Sequence, residues 1–394
     1  MEIQETKKSA QAMSQDVPFR SPPWKRNGWS GNLRRVDNAV VVPSNERSLV
    51  QPSGVFDDHG RYCHDAVLWR AKPLMEPPPI PSPDDITENL PGHWMWGGVM
   101  LNHFGHFLLE TLGRTWGIDA VPEPLDGILF VAKRGNESAT SPLLRSDPSG
   151  EGVLNPFQKR LFELFEIDVP ICLVQAPISA QHLWIPGQGF GMGRLATGTE
   201  KFRNFVETRF AHGIQADGPE RLYISRSAYG ARRGGVVGEV HIESHLAEAG
   251  YEIFHPQKHS VETQIARYKA ARQIVALDGS ALHLLAMVGS KRQQVAMIRR
   301  RSSVISNGIV SHMTSFMGRE PIVIDAIKTN WIRSDRRRVD RFSMGELDIE
   351  EIGRTLVARG LLESSENWKN INIEERDQFF RDIESTDGLT FFCA

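Results

Sequence analysis

Cysteine is scarce in this chain. Three residues (Cys63, Cys172 and Cys393) stand far apart with no Cys-x-x-Cys pair, which excludes a disulfide framework and a thiolate-based structural zinc site. Long apolar runs are also missing. No stretch approaches the ~18 residues that a membrane-spanning helix needs, so no integral membrane segment is expected. Neither charge sign is in excess: 46 Lys and Arg stand against 48 Asp and Glu, a formal net charge of -2. That balance gives no electrostatic basis for a nucleic-acid partner, which normally requires a basic face, yet it leaves room for a local basic pocket for phosphates. Residues 1–16 are polar and lack the apolar core of a secretory signal, so a reducing cytoplasm is the expected compartment. No internal repeat is present.

What is there reads as an ordinary folded protein, 40% hydrophobic and 24% charged over 394 residues. That length exceeds what one hydrophobic core usually serves, so two domains are expected. Residues 1–35 are polar and broken by Pro22 and Pro23, predicting a flexible tail. A short strand is expected over 38–44, a hairpin around Asp57-Asp58-His59-Gly60, and an extended connector at 77–83, where five of seven residues are proline. From Pro219 the pattern becomes regular. Apolar strands at 221–225, 251–255, 273–277, 294–298 and 322–325 alternate with helical stretches of about ten residues, which predicts a parallel sheet covered on both faces. Two amphipathic helices, at 346–359 and 373–383, are expected to form a C-terminal extension spanning 331–394. The intervening boundaries fall at 36–212 and 213–330.

Two constellations carry chemistry. The first is Asn102-His103-Phe104-Gly105-His106-Phe107-Leu108-Leu109-Glu110. On a helix His103, His106 and Glu110 share one face, and a histidine held by a carboxylate is a general-base arrangement. A pair of buried, hydrogen-bonded histidines with a structural role fits the same spacing. Zinc binding is a third option, although no further ligand is nearby and the order is not His-Glu-x-x-His. The second constellation lies where strands of the C-terminal domain run out. Ser225-Arg226 and Arg232-Arg233 follow one strand, and Asp278-Gly279-Ser280-Ala281-Leu282-His283 follows another. In open α/β sheets ligands bind beyond the carboxyl ends of the strands. A helix N-terminus after Gly279-Ser280 suits an anion, and Arg226 and Arg233 would add forked donors for phosphate oxygens. Taken singly, each residue is better explained by a plain N-cap or a surface ion pair; their collection on one rim of one sheet is what favours a phosphate site. The glycine-rich run 187–193 has no P-loop lysine and does not open a strand–helix dinucleotide unit. It is expected to be a flexible interdomain loop.

Taken in order, these segments resemble glycosyltransferase family 61, whose members include bacterial capsule and lipopolysaccharide enzymes and eukaryotic protein O-glycan and xylan transferases. The resemblance spans about 96–325. It rests on Asn102-x-x-Gly105-His106-Phe107-x-x-Glu110-x-x-x-Arg114 and on Arg221-Leu222-Tyr223-Ile224-Ser225-Arg226. Arg233 with Glu239, Gly250-Tyr251, Ser260-x-x-x-Gln264 with Ala270-Ala271, and Asp278 to His283 complete the series. The chain departs from the family pattern with Glu110 for the usual aspartate, Gly238 for asparagine, and Asp278 where many members carry histidine. The resemblance implies an α/β fold of two Rossmann-like domains facing across a cleft. It also implies an inverting, metal-independent transfer of a hexosyl or pentosyl group, with no cofactor beyond the nucleotide-sugar donor, expected to be a UDP-sugar. On that basis His106, with Glu110 and His103, would be catalytic. Arg226, Arg233, Glu239, Gly279, Ser280 and His283 would bind the donor. The acceptor would be a glycan or a lipid-linked hydroxyl compound; a lipid-linked acceptor would place the chain at the inner membrane surface. The oligomeric state is left open. A non-catalytic nucleotide-sugar or glycan-binding protein of the same fold is the alternative, which Gly238 and Asp278 keep in view.

Overall fold

Strand β1 (Leu33–Val42) starts earlier than its apolar core suggests, because charged Arg34, Arg35 and Asp37 occupy positions along its first half. The computed structural model describes residues 22–24, 28–133, 141–146, 153–304 and 306–394; residues 1–21 and 25–27 of the expected tail lie outside them. Within the described part of that tail, Trp29 is buried to 1% exposure, so the chain joins the core before residue 35. Two compact units follow from the packing, residues 1–210 and 211–394.

The first unit is built on a seven-stranded mixed sheet. Its strands are β1, β2 (Gly54–Phe56), β3 (Asn89–Met100), β4 (Gly127–Ala132), β5 (Leu143–Arg145), β6 (Ile171–Val174) and β7 (Ile178–Pro186), in the spatial order β2-β1-β7-β3-β4-β6-β5. The four middle strands β7, β3, β4 and β6 run parallel, while β1, β2 and β5 pair antiparallel at the margins. The carboxyl half of β3, Trp94 to Met100, is buried throughout, as a central parallel strand covered on both faces must be. Its register with β4 shifts between Trp96 and Gly98. Glycine is required there twice over: Gly98 takes φ +96, and a Cβ on Gly97 would lie 2.3 Å from the Phe130 ring. The bulge bends β3 just before the segment that carries the histidines. Helix α1 (Pro156–Leu164) opens with a reciprocal Asn155–Gln158 capping box, and Thr199 caps helix α2 (Glu200–Arg209).

The glycine-rich run corrects its expected role. Residues 187–191 are buried inside the first unit, where the Gly189 N–H donates to the Gly113 carbonyl and a Cβ on Gly187 would strike the Trp29 carbonyl at 1.9 Å. These glycines serve close packing, not interdomain flexibility.

The second unit centres on five parallel strands: β8 (Arg221–Ile224), β10 (Glu252–Phe254), β11 (Gln273–Leu277), β12 (Gln294–Ile298) and β13 (Ile322–Ile324), with the short β9 (Gly235–Val236) between β8 and β10 in sequence. Helices α3 (Glu239–Glu248), α4 (Val261–Ala270), α5 (Ala281–Val288) and α6 (Ser306–Met317) link them. The spatial order β10-β8-β11-β12-β13 reverses direction between β8 and β11. That reversal is the position where doubly wound sheets open a ligand crevice beyond the strand ends. A second sheet joins β9 to β14 (Ile327–Arg333), β15 (Met344–Leu347) and β16 (Phe391–Cys393). The stretch 331–394 is therefore not purely helical: β15 replaces the first turn expected at 346, so helix α7 begins at Ile349 behind the Asp348 cap. Helix α8 (Ile373–Asp387) follows with an Asn372–Glu375 capping box.

Candidate functional site

In the first unit the chemistry sits immediately beyond the carboxyl end of β3. The chain passes His103 in extended conformation and then coils through 104–119. This stretch runs as an α-turn (Phe104–His106), a π-turn (Phe107–Thr111) and a 3₁₀ stretch (Leu112–Asp119). Phe107, Leu108 and Leu112 are fully buried and seat the segment against the core. The Thr111 hydroxyl fixes the π-turn to the strand end by donating to the Val99 carbonyl (3.0 Å) and accepting from the Leu101 N–H (3.1 Å). From the other side Gln158 of α1 donates to the Leu101 carbonyl (3.1 Å) and the Asn102 side chain (3.2 Å).

This scaffold brings His106 and Glu110 together: Nδ1 lies 2.8 Å from Oε2. Glu110 is buried, and its second partner is one the sequence pattern did not flag. Arg70 clamps the carboxylate bidentately, Nε to Oε1 at 2.8 Å and Nη2 to Oε2 at 2.6 Å. Burial opposes ionisation of Glu110, but the hydrogen bonds from His106 and Arg70 outweigh it and hold the carboxyl below its usual range. An anionic Oε2 accepts the proton of Nδ1–H. The 3.3 Å approach of Arg70 Nη2 to that same Nδ1 is then packing around a shared oxygen, and Nε2 of His106 is the basic nitrogen. His103 does not share the helical face: it precedes the first turn, exposed, with its ring 5.1 Å from that of His106. Arg114 is buried and structural, donating to the Pro186 and Val67 carbonyls; burial lowers its pKa to about 10.

In the second unit Arg226 and Gly279, both flagged by sequence, meet at the strand-order reversal. Arg226 follows the end of β8 by two residues, and its guanidinium lies so close to Gly279, beyond β11, that a Cβ there would stand 2.9 Å from Nη1. It also rests on the Tyr229 ring at 4.9 Å. Glu239 is buried at the start of α3 and clamps the end of β8: its Oε1 accepts the Arg226 N–H (2.7 Å), the Tyr223 hydroxyl (3.1 Å) and the Ser225 hydroxyl (3.3 Å). Burial pushes its carboxyl up to about 7 against the help of these donors. The Ser280 hydroxyl does not cap α5, so the plain N-cap explanation fails for that side chain. His283 is buried with Nδ1 3.0 Å from Nδ1 of His312 on α6, one ring donating and the other accepting. Arg233 is exposed on the 231–233 turn.

In the second unit two more residues escaped the sequence pattern. Arg300 and Arg301 follow β12, and each is only 6% exposed. Arg300 Nε donates to Asp278, 3.0 Å from both the carbonyl and Oδ1. Arg301 has Nε and Nη1 buried without a hydrogen-bond partner among the described residues. The signal available was the charge cluster at 299–301 directly after an apolar strand, on the same rim as the segments beyond β8 and β11.

Residues 104–295 match the family model described as Glycosyltransferase 61. The match covers just under half of the chain and supports a glycosyltransferase with donor and acceptor substrates. It takes in His106, Glu110, Arg226, Arg233, Glu239, Gly279, Ser280 and His283, and it leaves Arg70, His103, Arg300 and Arg301 outside. No curated protein matches the chain. No helix among the described residues is long and apolar enough to cross a membrane.

Proposed function

We propose that the chain is an inverting, metal-independent glycosyltransferase that moves a hexosyl or pentosyl group from a nucleotide-diphosphate sugar, a UDP-sugar being the expected donor, to a hydroxyl acceptor. His106 Nε2 takes the acceptor proton. The freed oxygen forms the new bond at the anomeric carbon from the face opposite the leaving group, and the bond from that carbon to the diphosphate oxygen breaks. Glu110, held by Arg70, stabilises the imidazolium that forms. Charge grows on the departing diphosphate, and Arg226 at the end of β8 meets it with a fixed cation, a stabilisation larger in the transition state than in the ground state. The acceptor is a glycan or lipid-linked hydroxyl compound.

The observation that carries this reading is the position of Arg226. Its guanidinium spans the strand-order reversal of a parallel sheet and lies against Gly279, two residues before α5. The family match supplies the reaction class.

His106→Asn is expected to lower turnover by about 10²- to 10⁴-fold, as loss of a general base does, with donor binding preserved. Arg226→Met is expected to weaken donor binding as well. Excess EDTA should leave wild-type activity unchanged. Measurement of nucleotide release and sugar transfer checks all three. Folded variants with near-wild-type turnover would refute the residue roles, and inactivation by EDTA would refute the metal-free mechanism.

A further inference from the structure

The rim of the second unit holds more buried positive charge than its protein partners balance. Asp278, at the end of β11, is committed to one arginine: its Oδ1 lies 3.0 Å from Arg300 Nε and accepts the Arg300 N–H at 3.4 Å. Arg300 spends its remaining reach on backbone, with Nη1 3.5 Å from the Arg341 carbonyl. The chain cannot relax away from this arrangement, because Gly345 of β15 packs directly on it; a Cβ there would lie 2.0 Å from the Arg300 carbonyl. That leaves Arg226 with Nε buried and unpartnered, and Arg301 with Nε and Nη1 in the same condition. Arg226 and Arg301 also repel each other, and Asp278 and Asp340 are the carboxylates that attract Arg301. An N–H donor buried without an acceptor is costly, so three of them on one rim, one from half-buried Arg226 and two from buried Arg301, point to an anion that supplies the missing acceptors.

We propose that Arg301 is a ligand of the donor's diphosphate, pairing with Arg226 to grip it while Asp278 makes its direct contacts with Arg300 and attracts Arg301 only from a distance. This rests on the donor site proposed above and extends it to a residue beyond the 104–295 family match. Two neighbouring cations, each with forked donors, suit two linked phosphoryl groups better than a single carboxylate. Arg300 is then a positioning residue. Its bond to Asp278 stiffens the turn after β12 and prevents the carboxylate from competing for Arg301.

The test is titration calorimetry on the full chain with inorganic pyrophosphate and with uridine, guanosine and adenosine diphosphates. Arg301→Met is expected to weaken the best of these ligands by about 10- to 100-fold, the range for losing hydrogen bonds to a charged group. It should also reduce the salt dependence of binding, while the ligand-free midpoint of thermal unfolding stays level or rises because an unbalanced buried cation is gone. Should that variant not fold, Arg301→Gln is held to the same affinity criterion. Unchanged affinity in a folded Arg301 variant, with binding lost in Arg226→Met, would overturn the role of Arg301 and leave the donor site standing. Failure of the wild type to bind any of the four probes would overturn the donor site itself.

Discussion

The fate of single protons separates the two buried carboxylates. Glu110 is ionised because Arg70 and His106 offer it three hydrogen bonds, whereas Glu239 accepts neutral donors and sits above its ordinary value. The direction for Glu239 fixes a pH effect. Below 4.5 the folded and unfolded chains both carry the proton. Between 4.5 and about 7 the unfolded chain loses it while the folded chain retains it, so stability falls as pH rises through this window and levels off above it. The ceiling on that loss is ~3 kcal/mol. Glu239→Gln keeps an acceptor for the Arg226 N–H and removes the titration. Urea denaturation from pH 5 to 7.5 at fixed ionic strength is expected to show a shallower fall in stability for the variant. An unaltered slope would mean that Glu239 does not bind the extra proton. At this scale the sequence was informative about identity and less so about duty. The spacing of His106 and Glu110 was visible as a histidine–carboxylate pair, but Arg70 lies 40 residues upstream and no local pattern could bring it there. Glu239 was legible as part of an ordered motif; its hold on the end of β8 appears only once α3 is packed.

Among elements, the glycine-rich run illustrates how a loop of small residues can be a support. Gln188 within it is 1% exposed and brackets the backbone of Trp69: Oε1 accepts the Trp69 N–H at 2.8 Å and Nε2 donates to the Trp69 carbonyl at 3.2 Å. Arg70 is the next residue, so Gln188 sets the origin from which Arg70 reaches Glu110. The sequence could not expose this, since glycine composition reports backbone freedom and does not say whether the freedom serves motion or close approach. The regular alternation after residue 219 was far more legible. Its strands are short and mostly apolar, the three inner ones largely buried, and helices separate them along the chain, so every strand of the parallel sheet was recognisable within a residue or two. The charged residues on β1 hid its first half for the opposite reason. Gln188→Leu preserves size but leaves two backbone groups of Trp69 without partners, at a cost of about 1–3 kcal/mol each if they stay dry. The expected outcome is a lower midpoint of unfolding together with a several-fold loss of turnover and an unchanged KM for the donor. A loss of stability with full turnover per folded molecule would restrict Gln188 to a structural role.

For the molecule as a whole, the two units have separate cores. One is assembled from strands such as β1, β3 and β7 around Val41, Trp96 and Leu183; the other packs Tyr223, Val275 and Ile298 with Ile352 and Leu356 of α7. Residues 331–394 contribute strand β15 and helix α7 to that second core, so the C-terminal stretch is integral to it and not an appendage. The mixed α/β class and the parallel sheet could be read from the sequence. The seven-stranded mixed sheet of the first unit could not, because antiparallel margins and parallel centre depend on long-range pairing that periodicity does not encode. Separate cores make a sharp functional expectation. Every residue assigned to the diphosphate (Arg226, Arg233, Gly279, Ser280 and Arg301) lies in 211–394, and every residue assigned to the acceptor proton (Arg70, His106 and Glu110) lies in 1–210. A domain with its own core can in principle fold alone. Residues 211–394 expressed by themselves should therefore unfold cooperatively and bind nucleoside diphosphates within about tenfold of the full chain, equivalent to ~1.4 kcal/mol, while transferring no sugar. Residues 28–210 should bind none. Calorimetry on the two fragments decides it: cooperative folding of 211–394 without diphosphate binding would show that the arginine-lined rim is insufficient, and binding by 28–210 would place the donor in the other unit.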